Sequence, residues 1–131
     1  MPVLGPGEGE RLDTQTRAFV IKGDREEISI NEVDAGPDFE GVGPHYHERH
    51  VDAFYVLEGE LEFLMDGETI RAGAGTTVVV PPRVVHSFQT VSPQARYINI
   101  HAPDAGFLEF MRARHRGEDP GPDSWDNVPV E

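Results

Sequence analysis

Short runs of Val, Ile, Phe and Thr recur from residue 18 to residue 101, cut at close intervals by Gly and Pro. That punctuation restricts the fold more than any other feature. Each Pro removes a backbone donor and each Gly costs chain entropy, so the 14 glycines and 11 prolines work against long helices. Many short strands with such breaks are the pattern of a sandwich or barrel. Strands are expected at residues 18–22, 27–33, 44–47, 53–57, 61–65, 69–72, 76–80, 86–90 and 95–101. Asp66-Gly67 lies between two of these runs and suits a two-residue type I′ hairpin, whose central positions both need positive φ. Val78-Val79-Val80 is apolar throughout and is expected to be covered on both faces, with Pro81-Pro82 ending its ladder.

The period changes at residue 104. Asp104 follows Pro103 as a candidate N-cap, and Phe107, Leu108, Phe110 and Met111 form an apolar stripe. Arg112, Arg114 and Arg116 gather at the far end, and Gly117 suits the C′ position. A helix over 104–116, packed outside the sheets, is expected. Residues 117–131 are acidic and rich in Gly and Pro, and are expected to be loosely held, with Trp125 as the residue able to dock them. The 131 residues read as a single domain over 1–131, with a core of about 17–103, the helix, and an acidic tail.

Charge excludes some partners. With 24 acidic and 11 basic residues the formal net charge is −13, which repels phosphate backbones and anionic bilayers. Nucleic acid and membrane surfaces are not expected as partners. The chain has no cysteine, so a bound metal must take nitrogen and oxygen donors. The first residues lack the basic start and apolar block of a signal peptide, and a reducing cytoplasm is the expected location. No G-x-S-x-G elbow, phosphate loop or cysteine nucleophile occurs.

Three of the six histidines lie between residues 45 and 50. In a strand, His45 and His47 would share one face with their backbones about 6.6 Å apart. Asp52 has the wrong parity to join them on an unbroken strand. A hairpin with residues 48–51 as its loop would instead set His47 and Asp52 opposite each other, with Cβ atoms roughly 5 Å apart. His86 starts a later strand just past Pro81-Pro82, and only a curved or closed sheet could bring it to the same centre. Three imidazoles and a carboxylate suit a divalent transition metal (Fe, Mn, Ni, Co or Zn) better than Ca or Mg, and leave one or two positions open.

These residues fall into two motifs. From His45 through His47 and Asp52 to Gly59 the spacing is H-x-H-x4-D-x6-G, and from Gly75 through Pro81, Arg83 and His86 to Thr90 it is G-x5-P-x-R-x2-H-x3-T. Over this central half the chain resembles a small single-domain cupin, whose motifs read G-x5-H-x-H-x3–4-E-x6-G and G-x5-P-x-G-x2-H-x3-N. The resemblance implies an all-β fold, a jelly-roll barrel with the C-terminal helix outside, commonly a homodimer. It also implies an internal divalent metal held by His45, His47, Asp52 and His86. The chain departs from the pattern at Asp52, which has a shorter arm than Glu, at Arg83, which stands for a turn glycine, and at Thr90, which stands for Asn.

Other residues carry alternatives. His50 could replace Asp52 as the fourth donor, although its loop position favours exposure. His101 shares parity with Tyr97 and Asn99 and could line a cavity mouth, but is expected to end its strand facing water. Phe54, Phe63, Met65 and Phe88 read first as barrel core. Arg83 could clamp a substrate carboxylate or enolate. Glu58, Glu60 and Glu62 alternate as an exposed strand face would. The expected function is a metal-dependent enzyme, dioxygenase-like in the manner of quercetinases, acting on a small organic molecule, with Asp52 and Arg83 as candidate catalytic groups. A metal-dependent isomerase or epimerase, or a metal-holding module that binds a small ligand without turnover, fits the same motifs.

Overall fold

In a computed structural model that describes residues 3–131, two antiparallel sheets lie face to face and share one core. The strands are β1 (Glu10–Arg11), β2 (Arg17–Asp24), β3 (Ser29–Ala35), β4 (Val42–Tyr46), β5 (Val51–Glu58), β6 (Glu60–Met65), β7 (Glu68–Gly73), β8 (Thr77–Val80), β9 (His86–Thr90), β10 (Ala95–Ala102) and β11 (Val128–Pro129). One helix, α1 (Phe107–His115), follows β10. The six-stranded sheet runs β1-β2-β3-β10-β5-β8, and the five-stranded sheet runs β11-β4-β9-β6-β7. This is the expected all-β jelly roll. No helix among the described residues is long and apolar enough to cross a membrane.

Period-two patterning places the core. On β3, Val33 and Ala35 point inward while Glu32 and Asp34 do not, and on β6 Leu61 and Phe63 are buried while Leu64 is exposed. Between the sheets Phe54, Phe63, Phe88 and Tyr97 meet edge to face or stacked, with centroids 4.9 Å apart for Phe54–Phe63 and 5.0 Å for Phe54–Phe88. Each such ring contributes about 1.5–3 kcal/mol through burial. Arg96 bridges Glu32 and Glu58 on the outer face, and Arg71 bridges Glu60 and Glu62.

The turns follow their residues. Asp66 and Gly67 have φ of 54° and 79°, the type I′ signature, and Met65 pairs with Glu68 across them. β3 begins two residues later than expected because Arg25 and Ile28 close a turn on each other. β8 corrects the reading of the valine run: only the inner face of its sheet is covered, so Val78 and Val80 are buried while Val79, pointing outward, is 58% exposed.

Helix α1 also starts later than expected. Ala105 and Gly106 take φ of 56° and 90°, so the helix cannot begin before Phe107. Asp104 is not the N-cap residue, yet its Oδ1 accepts the Leu108 N–H at 3.2 Å. At the other end Gly117, with φ of 84°, donates to the Arg114 carbonyl, and Glu118 donates to that of Ala113, a Schellman closure.

The end of the tail is docked, while residues 117–124 are mostly exposed. β11 pairs with β4, setting Val128 against Tyr46 and Pro129 against His45. Trp125 docks as expected, with its ring 5.1 Å from Phe107 and 5.5 Å from Phe110. Asp126 is buried. The helix and returning strand thus close one end of the barrel over the histidines.

Candidate metal centre

β4 and β9 are neighbours, and their register pairs His45 directly with His86, bringing the rings to 4.2 Å. His47 lies just past the end of β4, and its ring is 4.9 Å from His45 and 5.3 Å from His86. Asp52 comes from β5 in the opposite sheet, where it pairs with Val80 and His101. Residues 48–51 therefore do not close a hairpin within one sheet. They cross between sheets, and His47 Nε2 meets Asp52 Oδ2 at 3.3 Å through the barrel interior. One ligand atom from each of His45, His47, Asp52 and His86 lies within 4.8 Å of all the others, and all four residues are buried.

The imidazoles are held in one tautomer by backbone carbonyls. Nδ1 of His45 donates to Gly43 O at 2.8 Å, that of His47 to Asp126 O at 2.8 Å, and that of His86 to Val84 O at 3.0 Å. A carbonyl can only accept, so each neutral ring carries its proton on Nδ1 and presents the Nε2 lone pair. Asp52 Oδ2 lies 3.1 Å from His86 Nε2 and 3.3 Å from His47 Nε2. Burial and the neighbouring His86 push the His45 imidazole down to about 4, which keeps it neutral. Burial alone would raise the Asp52 carboxyl; protonation of the neighbouring rings would outweigh it, through the charge of His101 and hydrogen bonds from His47 and His86, and hold the carboxyl below the ordinary range. Lone pairs and a carboxylate oxygen converging in a buried space form a donor set that a divalent cation fits.

A second chain of polar groups stands behind the first. Asp126, from the tail, accepts from Glu48 N at 3.0 Å, Arg49 N at 2.9 Å and His50 Nδ1 at 2.8 Å. His50 Nε2 meets His101 Nδ1 at 2.8 Å, and His101 Nε2 meets Asn99 Oδ1 at 2.9 Å. Asn99 Nδ2 donates to Asp52 Oδ1 at 2.8 Å. Burial lowers the His101 imidazole to about 3, and it lowers His50 against the opposing hydrogen bond to Asp126.

Two expectations are corrected here: His50 and His101 are not exposed, being 0% and 3% accessible. His50 is not a fourth donor to the first group, since both its ring nitrogens are engaged elsewhere. His47, His50 and His101 also form a close triad. However, two nitrogens 2.8 Å apart fit a shared proton, whereas ligands about 2.0–2.1 Å from a tetrahedral metal stand farther apart. Sequence reasoning missed Asp126 altogether, and the parity of Tyr97, Asn99 and His101 was the signal for the polar stripe.

Arg83 is not brought to this centre. Its side chain is exposed and does not line the cavity, while its backbone, at φ of 68°, takes the turn-glycine conformation. Its N–H donates to the His47 carbonyl at 2.6 Å, so the residue fixes the second motif's turn against the first. The cavity that His45, His47 and Asp52 line has a volume of about 650 Å³ and is walled by Phe54, Phe88, Tyr97 and Trp125. That volume suits a small organic molecule.

A family model described as "Cupin domain" matches residues 31–101, which span the four donors and most of both sheets. The chain belongs to the cupin family. This cupin is 32% identical over 113 residues to a quercetin 2,3-dioxygenase of Bacillus subtilis, an alignment covering 84% of this chain and 33% of that protein. It thus spans about a third of the length of that relative. Among solved structures, KdgF from a Halomonas species superposes with a TM-score of 0.72 at 22% identity, covering 81% of this chain and 96% of that one. An RmlC-like cupin from Shewanella frigidimarina gives a TM-score of 0.62 at 23% identity, covering 77% and 89%. These two likenesses establish the fold.

Proposed function

We propose that this cupin is a metal-dependent enzyme of dioxygenase type, acting on a small organic molecule held in the barrel cavity. The observation that carries the reading is the convergence of three Nε2 lone pairs on the Asp52 carboxylate, with each Nδ1 tied to a carbonyl. His45, His47, Asp52 and His86 would hold a divalent ion of Fe, Mn, Ni, Co or Zn. When bound, the ion supplies Lewis-acid polarisation and open coordination positions. The similarity to the Bacillus quercetin dioxygenase supports the choice of chemistry.

The protein's own groups account for the rest. The carbonyls behind the imidazoles keep their rings from turning, which preorganises the donors before a ligand arrives. Asp52 offsets the cation's charge and is the base nearest a substrate hydroxyl bound there, while Asn99 holds its Oδ1 in place. Phe54, Phe88 and Tyr97 exclude water from the bound molecule. The test is oxygen uptake by protein reconstituted separately with each of the five metals, over a panel of flavonols, catechols and diketones. Metal- and substrate-dependent uptake is expected. Stoichiometric zinc with no uptake from any metal form would overturn the dioxygenase reading in favour of a binding module.

A further inference from the structure

The cavity differs in charge from the molecule around it. Although the chain carries −13, the cations among the cavity's lining residues are Arg17 and Arg114, and the one carboxylate is Asp52, occupied with the histidines and Asn99. Most other arginines are neutralised by acids: Arg96 by Glu32 and Glu58, Arg112 by Glu10, Asp24 and Glu109, Arg116 by Glu118. Among the described residues, no carboxylate lies within ion-pair distance of Arg17. Its guanidinium instead lies over the Phe39 ring at 5.0 Å and the Phe19 ring at 5.6 Å. A half-buried guanidinium against aromatic faces, with the Tyr97 hydroxyl as its hydrogen-bonding neighbour in a chain with 24 acids, keeps the other donors of its fixed fork free.

Register fixes which end of the cavity it serves. Arg17 shares the inward parity of Phe19 and Ile21, and it pairs with Ala35, which pairs in turn with Ala95. The row that contains Asp52 and His101 reaches Ser29, at the other end of β3. Tyr97 lies between and senses both charges: burial raises its phenol to about 12, and Arg17 opposes that rise while Asp52 adds to it.

We propose that Arg17 is the anion anchor of the cavity, and that the molecule bound there is a small aromatic or unsaturated carboxylate whose charged end lies remote from the metal donors. Phe39, Phe54 and Phe88 supply the apolar surface for its body, with Phe39 and Phe88 centroids 6.3 Å apart. This deepens the functional reading above and rests on it only in taking the cavity as the ligand site.

Phenylacetate and its neutral isostere phenylacetamide are the probes, titrated calorimetrically into metal-loaded protein, metal-stripped protein, and the Arg17→Gln and Arg17→Lys variants. Trp125 is the sole tryptophan and lines the cavity, so its emission reports where the probe sits. The carboxylate should bind at least about tenfold more tightly than the amide, the scale of a charge-assisted hydrogen bond. Arg17→Gln should abolish that preference, Arg17→Lys should retain part of it, and stripping the metal should leave it in place. Equal binding of the two probes to wild-type protein, or no binding of the carboxylate, overturns the proposal even where a variant fails to fold. So does a preference that survives Arg17→Gln or vanishes with the metal. Oxygen uptake does not enter these outcomes, so failure of the dioxygenase reading is separable from failure of this one.

Discussion

Replacing Asp126 with alanine tests whether the C-terminal segment belongs to the metal centre. The side chain is 2% exposed and accepts three hydrogen bonds, from Glu48 N, Arg49 N and His50 Nδ1. His50 is fully buried, so losing its partner leaves an unsatisfied donor at a cost of about 1–3 kcal/mol. Glu48 and Arg49 are exposed residues whose N–H groups water can reach, so each of those bonds contributes nearer 0.5–1 kcal/mol. Together the change should cost about 2–5 kcal/mol, which for a domain of this size lowers the melting temperature by about 6–15 °C. Alanine keeps the backbone carbonyl that orients His47, but losing the three side-chain bonds frees the segment that carries it, so metal affinity should fall about 10–100-fold. Calorimetric melting of the metal-stripped variant measures the first effect, and competition with a chelator measures the second. A loss under about 1 kcal/mol with unchanged metal affinity would mean that the tail contributes nothing to the barrel or the donors.

Further outcomes follow from particular residues. Arg83→Gly should stabilise the protein by no more than about 1 kcal/mol, since the left-handed conformation costs a side chain about 1–2 kcal/mol and glycine's looser unfolded chain offsets about half; a lowered urea midpoint would contradict this. Asn99→Leu should destabilise by about 2–4 kcal/mol, because Asp52 Oδ1 and His101 Nε2 both lose a buried partner, and denaturant unfolding at neutral pH measures it. In metal-stripped protein, His45 and His101 titrate in the fold at about 4 and about 3, below their unfolded value near 6.5. The unfolded chain therefore takes up those protons first. Stability should be full above about pH 6.5 and fall on acidification towards pH 4 and then 3, by up to about 1.4 kcal/mol per unit for each ring. Unfolding free energies that stay level between pH 7.5 and 5 would contradict the burial of these rings.

The strands and the Asp66-Gly67 hairpin were legible because they depend on local chemistry: period-two burial, positive φ and prolines that end ladders. The gathering of His45, His47, Asp52 and His86 was legible through motif spacing, although the assumed hairpin was wrong and the two sheets, facing each other, do the joining. What local pattern could not carry was contact across long separations. Asp126 reaches Glu48 and His50 from the far end of the chain, out of a Gly- and Pro-rich stretch whose composition resembles a solvated tail. His50 looked like a loop residue because its burial depends on that distant acid. Val79 looked covered because an apolar triplet does not reveal that the outer face of its sheet is left to solvent. Asp104 satisfied the N-cap pattern, but the left-handed Ala105 and Gly106 moved the helix start beyond it.

Anomalous diffraction from crystals grown with Fe, Mn, Ni, Co or Zn tests whether the four side chains share one ion. A single peak is expected about 2.0–2.2 Å from Nε2 of His45, His47 and His86, with Asp52 in contact, and it should be lost in His47→Ala. A wild-type map without a peak among these residues for any of the five metals would contradict a shared ion site.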